Sequence, residues 1–242
     1  KTGNNPLFIQ QFLIHLVDHG LLESGADAWV WDANAIASAG VPDDLLGMMQ
    51  ARLARLPARE QLVLRCAACI GARFEDAVLA EVCELDEVAL SESLYRLEFE
   101  GLIDREPAGH RFAHDRLEAA ALAQIDADER QRLHAGIGQI LLDQHAGKPL
   151  GDRVFAIVDQ LEAGGEPSDR RELARLEVEA GQRTFASAAW TRAHHYFERA
   201  VALLAEELGP TESGRGDDEL GFAAMFGFPQ SLGLIGEFER AT

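Results

Sequence analysis

The sharpest chemical candidate in the chain is His114, which follows Phe112 and Ala113 at the end of a predicted strand and precedes Asp115. An imidazole in that place, neutral or protonated, can donate a hydrogen bond to a diphosphate oxygen. It can equally be a histidine that merely precedes an Asp helix cap. Cys66-Ala67-Ala68-Cys69 has the C-x-x-C spacing of redox and zinc sites. It lies within an apolar helical stretch, with no second C-x-x-C and no His pair at ligand spacing, so these cysteines read as core residues. His15 and His19 stand one helical turn apart with no Glu or Cys partner nearby and read as surface residues, while His194 and His195 are adjacent and face different sides of a helix. No G-x-x-x-x-G-K-[ST] phosphate loop occurs, since Gly147-Lys148 is followed by Pro149 and lacks the upstream Gly. Without backbone amides to cradle phosphates and a Lys to reach them, nucleotide hydrolysis cannot be assembled from these residues. No set of nucleophile, base and oxyanion donors can be put together either. The chain by itself is therefore expected not to be an enzyme, with no catalytic residue and no metal ligand.

The elements that must position these residues are mainly α. Pro6 stands where an N1 proline starts a helix after Asn5, and Phe8, Ile9, Phe12, Leu13, Leu16 and Val17 follow at helical spacing. Trp29-Val30-Trp31 predicts a small hairpin, and Pro42-Asp43 a further helix through Leu45 to Leu56, which makes residues 1–56 a helical subdomain. After Pro57 the pattern predicts helices over Arg59 to Ile70, Glu75 to Cys83 and Glu87 to Glu100. Leu102 to Glu106 and His110 to Phe112 then flank a Pro107-Ala108-Gly109 turn. Helices followed by a short β-hairpin make residues 57–113 a winged helix. Residues 114–166 read as a helical connector, opened by Asp115 and Glu118 as a capping box and continued by helices over Asp128 to Gln144 and Arg153 to Ala163. Residues 167–242 read as tetratricopeptide-like (TPR-like) helical repeats: Asp169 to Phe185, Ala188 to Leu208, a polar loop from Gly209 to Asp218, and a last pair. Ala189, Trp190, Ala193, Tyr196, Phe197 and Ala200 place small and aromatic residues where paired helices interlock.

Composition excludes several functions. Asp and Glu number 41 against 22 Lys and Arg, for a net charge of -19, which repels nucleic-acid phosphates and anionic membrane surfaces. The third winged-helix segment carries Glu87, Glu92, Glu98 and Glu100 against Arg96, so it reads as a protein-packing helix rather than a DNA reader. Three cysteines without a disulfide framework, no apolar run near the ~18 residues of a membrane span and no signal-peptide pattern together predict a cytoplasmic location. The chain starts at Lys1 without Met and closes inside a helical pattern, so it is expected to be a fragment of a longer protein.

The order of these segments resembles the STAND (AAA-like) signalling ATPases, in particular the ATPase module of bacterial hybrid sensor kinases. Thr2-Gly3-Asn4-Asn5-Pro6-Leu7-Phe8 resembles the Gly-x-Pro turn that opens the lid of that module, with Asn4 where the family has a second Gly. Phe112-Ala113-His114-Asp115 resembles the His-Asp motif that ends its winged helix, related to the Met-His-Asp motif of plant resistance proteins. Gly236-Glu237-Phe238-Glu239-Arg240-Ala241 resembles the start of the second helix in its tetratricopeptide-like arm. The resemblance implies a lid, a winged helix and a helical arm, and ADP or ATP with Mg bound in the full-length parent by an upstream nucleotide-binding domain. It implies that Pro6 packs against adenine and that His114 bonds the phosphates of ADP in a closed, inactive state. It further implies a protein partner on the helical arm and a histidine kinase output. A helical interaction scaffold without nucleotide control and a winged-helix transcription regulator are the alternatives.

Overall fold

The computed structural model describes residues 9, 12–14, 16–17, 20–25, 28–38, 45–165, 169–212, 220–221, 223–224 and 226–231. The chain divides into two compact units, Lys1–Arg130 and Gln131–Thr242. As expected, it is mainly α, with two small antiparallel sheets among the described residues.

In the first unit the hairpin expected at the tryptophans is present. β1 (Leu22–Ser24) pairs with β2 (Trp29–Trp31), with Leu22 opposite Trp31. Helix α1 (Ala33–Ser38) follows at once and was not expected. Asp32 caps it, its Oδ1 accepting from the amides of Asn34 at 2.8 Å and Ala35 at 3.3 Å, so one side chain stabilises a helix too short for periodicity to reveal. α2 (Leu45–Leu53) buries Met48, Met49 and Leu53. Pro6 and Pro42, the expected helix starts, lie outside the described residues.

Pro57 stands at the N-cap of α3 (Ala58–Ile70), whose Val63, Leu64, Ala67 and Ala68 are buried at the three-four spacing of one helix face. β3 (Arg73–Phe74), α4 (Asp76–Cys83) and α5 (Glu87–Phe99) come next, α5 being capped by Asp86 through the amide of Ala89 at 2.8 Å. β4 (Ile103–Glu106) and β5 (Gly109–Phe112) form the predicted hairpin, and the sheet order is β3-β5-β4. β3 lies between two predicted helices, and its two residues carry no alternation that could announce a strand. It is a strand only through its neighbour, Phe74 facing His110 and the Phe112 amide donating to the Ala72 carbonyl at 3.0 Å. Gly109 lies at φ 148, and a side chain there would collide with the backbone of Phe74. α6 (Asp115–Leu122) closes the series. α3, α4 and α5 and the three-stranded sheet β3-β5-β4 thus lie together within residues 58–112.

α7 (Ala127–Asp143) runs across the division between the units. In the second unit α8 (Arg153–Ala163) is followed by α9 (Arg170–Ala186) and α10 (Trp190–Glu212), which pack as an antiparallel helical hairpin. Asp169 caps α9 by accepting from the Glu172 amide at 2.9 Å. Val154, Ile157, Val158, Leu176, Ala180 and Tyr196 form one core cluster, and Ala174, Val178, Ala193, Phe197, Ala200 and Leu204 another. Phe197 sits between two glycines: a Cβ on Gly181 would stand 2.8 Å from its ring, and one on Gly227 2.6 Å. Of the small and aromatic residues picked out by spacing, Ala193, Tyr196, Phe197 and Ala200 are buried in these clusters, while Ala189 is exposed and Trp190 half-buried. The loop expected from Gly209 is a correction, since residues 209–212 continue α10. Pro210 in a last turn forfeits one backbone hydrogen bond, which does not exclude that turn. The match at Gly236 to Ala241 lies outside the described residues.

Candidate functional site

His114 is placed by the join between β5 and α6. The Ala113 amide donates to the Leu102 carbonyl at 3.1 Å, which carries the extended chain one residue past β5, and His114 follows at φ -155, ψ 145. This makes His114 itself the N-cap of α6, with Nδ1 accepting from the Arg116 amide at 3.1 Å. The capping box expected from Asp115 and Glu118 is therefore corrected. Asp115 is the first helical residue, where its charge favours the positive helix end without capping it.

Nδ1 of His114 also contacts Asp115 Oδ1. The two bonds exclude each other. A neutral ring that accepts from Arg116 carries its hydrogen on Nε2; a protonated ring donates from Nδ1 to Asp115 and still carries hydrogen on Nε2. Where Nδ1 accepts from Arg116, and in the protonated ring, Nε2 is a donor, whereas a neutral ring with its hydrogen on Nδ1 donates to Asp115 and leaves Nε2 an acceptor; the ring is partly open to solvent. An Nε2 donor is the chemistry needed to meet an anionic oxygen. Pro6 lies outside the described residues.

The cysteines, Cys66, Cys69 and Cys83, are buried thiols in no disulfide. Burial pushes the Cys69 thiol up to about 11, and a hydrogen bond to Cys66 together with burial pushes that of Cys83 up as well. Neither is a ready thiolate. No group of three or more His, Cys, Asp or Glu side chains could hold a metal ion among the described residues. His194 bonds Ser231 Oγ at 3.1 Å and stacks on Phe228, while His195 lies against the Tyr196 ring, so the two do face different surroundings. His15 and His19 lie outside the described residues.

Two polar clusters escaped the sequence reading. His110 is buried, its Nδ1 at 2.7 Å from Asp76 Oδ1 and its Nε2 at 2.6 Å from Glu98 Oε1, with its ring stacked on Phe74. It ties β5 to α4 and α5. The alternation Gly109, His110, Arg111, Phe112 puts His110 on the inward side with Phe112 and was the available signal. On α9, Glu177 is fully buried and held at 3.3 Å by Arg199, which also pairs with Glu162. Burial, then the hydrogen bond and charge of Glu162, push the Glu177 carboxyl up to about 9. Cavities are also found among the described residues of the first unit. One of about 560 Å³ is lined by Leu13, Ile14, Val17, Leu22 and Trp29. Another of about 360 Å³ gathers Arg52, Arg55 and Arg96 with Glu100, but Arg52 pairs with Glu100 and Arg96 with the buried Glu60, which leaves little free positive charge.

With that geometry in hand, the chain is similar to hybrid signal transduction histidine kinase G of Dictyostelium discoideum, at 25% identity over a 277-residue alignment that covers 90% of this chain and 8% of that protein. The chain therefore spans less than a tenth of the relative's length. No family model matches the chain. No solved structure matches it either. No described helix is long and apolar enough to cross a membrane.

Proposed function

We propose that this chain serves in signal transduction as the regulatory segment of a nucleotide-switched ATPase of the STAND class, closing over ADP with its first subdomain and winged helix and relaying partner or signal binding to an output domain, a histidine kinase. The observation that carries the reading is the similarity along 90% of the chain to a hybrid signal transduction histidine kinase. It is supported by His114, an Nε2 donor held at a helix start beside the sheet in the Phe112-Ala113-His114-Asp115 motif. ATP and Mg would be bound by an upstream domain of the same parent, with Pro6 against the base, and the α9–α10 hairpin would receive the protein partner. The chain alone would hold no nucleotide tightly and hydrolyse none. A role in the cytoplasm, away from nucleic acid and membrane, accords with the net charge of -19. The runner-up is a TPR-like helical scaffold, favoured by the Gly181-Phe197-Gly227 interlock.

The test is His114→Asp in the full-length parent. Asp caps a helix as well as any residue, so the fold is kept, while the phosphate donor becomes a negative charge. Loss of a charge-assisted bond of about 1.5 to 3 kcal/mol weakens ADP at least roughly tenfold and shifts the resting population toward the open form, so output rises without signal. Calorimetry with ADP and an assay of basal output read both effects. Equal ADP affinity and unchanged output would overturn nucleotide control through His114 and leave the scaffold reading.

A further inference from the structure

We propose that the outward face of α5 is a docking surface for an amphipathic helix whose apolar stripe is flanked by Lys and Arg. α5 turns Leu90, Ser93, Leu94 and Leu97 into the core. Val88, Glu92, Tyr95 and Phe99 follow one another by four, three and four residues and so share the opposite face. Val88 is 70% exposed, Tyr95 71% and Phe99 81%. A single exposed apolar residue is ordinary, but three of them aligned over three turns of one helix form a patch of the kind that marks an interaction site. Tyr95 and Phe99 are also residue types that anchor interfaces.

The charge around the stripe selects the occupant. Glu87 and Glu92 border it, and α5 has one basic residue, Arg96, which turns to the buried Glu60 at 3.7 Å. Arg59 reaches Glu92 at 3.1 Å from α3 and leaves Glu92 largely exposed. A second copy of this chain would bring Glu87 and Glu92 against themselves and a net charge of -19 against -19, and DNA or an anionic bilayer would meet the same repulsion. A helix carrying an apolar stripe between Lys or Arg residues has none of these costs. It covers Val88, Tyr95 and Phe99, sets its cations against Glu87 and Glu92, and can lay one over the Tyr95 ring. α5 holds the place that reads the major groove in DNA-binding winged helices, and here an apolar stripe with an acidic border stands there instead. The inference is independent of nucleotide control through His114.

The experiment replaces Tyr95 by p-benzoylphenylalanine in the full-length protein, in the cells that make it, followed by ultraviolet cross-linking and sequencing of the captured peptide. The expected product is a segment with apolar residues at helical spacing and at least two flanking Lys or Arg residues, and the Glu87→Lys, Glu92→Lys double variant lowers its yield at least fivefold. The Glu87→Lys, Glu92→Lys variant itself keeps the wild-type thermal transition, because both side chains are exposed, so its loss of cross-linking is not loss of fold. Cross-linking to a second copy of this chain, to lipid or to an acidic segment would overturn the proposal. So would a yield no higher than from the same probe at Ala108 in the β4–β5 turn.

Discussion

Glu177 is fully buried on α9, and its replacement by Gln should raise stability at neutral pH rather than lower it. Burial and the neighbouring Glu162 hold its carboxyl at about 9 in the folded chain against an ordinary 4.5. The folded state therefore keeps a proton that the unfolded state gives up between those two values. Stability is greatest below about pH 4.5 and is lost as pH rises toward 9, at about 1.4 kcal/mol per pH unit. By pH 7 the loss comes to about 3 kcal/mol. Gln keeps the shape and the donor of the neutral carboxyl toward Glu162 and does not titrate. Its amide oxygen still accepts from Arg199, as Glu177 Oε1 does at 3.3 Å, so the net gain at pH 7 is at most about 3 kcal/mol. The assay is urea unfolding at pH 5, 6, 7 and 8 in a Trp29→Phe, Trp31→Phe background, where Trp190 on α10 alone reports on the second unit. The difference between Glu177→Gln and its parent should widen steadily with pH. Parallel profiles from pH 5 to 8 would refute the claim that Glu177 is buried as a neutral acid.

Gly181→Ala should destabilise the second unit by about 1 to 3 kcal/mol, because its new Cβ meets the buried Phe197 ring at 2.8 Å; in an open helix the same change stabilises, so the sign of the shift in the Trp190 transition decides. His110→Leu should cost the first unit about 2 kcal/mol, since Asp76 and Glu98 lose their bonds at 2.7 and 2.6 Å but keep access to water, and thermal unfolding followed by circular dichroism measures it. The chain should shift no DNA in a gel at roughly 150 mM salt, where residual phosphate attraction is screened, whatever the sequence offered.

Elements with a local cause could be read from consecutive residues. The 3.6-residue spacing of Val63, Leu64, Ala67 and Ala68 predicts α3, the Pro107-Ala108-Gly109 turn predicts the β4–β5 hairpin, and Ala193, Phe197 and Ala200 predict an interlocking hairpin. His114 was legible as a donor in a motif, but its capping role was not. Asp115 is the better cap by type, and the cap falls one residue earlier because the Ala113 amide bonds Leu102 and extends the strand. β3 is a strand only because β5 lies beside it. His110 becomes a polar tie through Asp76 and Glu98, 34 and 12 residues away, and Glu177 becomes a neutral acid through the burial that α9 and α10 supply and through the neighbouring Glu162, against the opposing pull of Arg199. Hydrophobic period, turns and most caps are properties of a few neighbouring residues. The protonation and pairing of a buried polar group depend on which distant side chains the packing brings to it, and in this protein only the tertiary structure decided that.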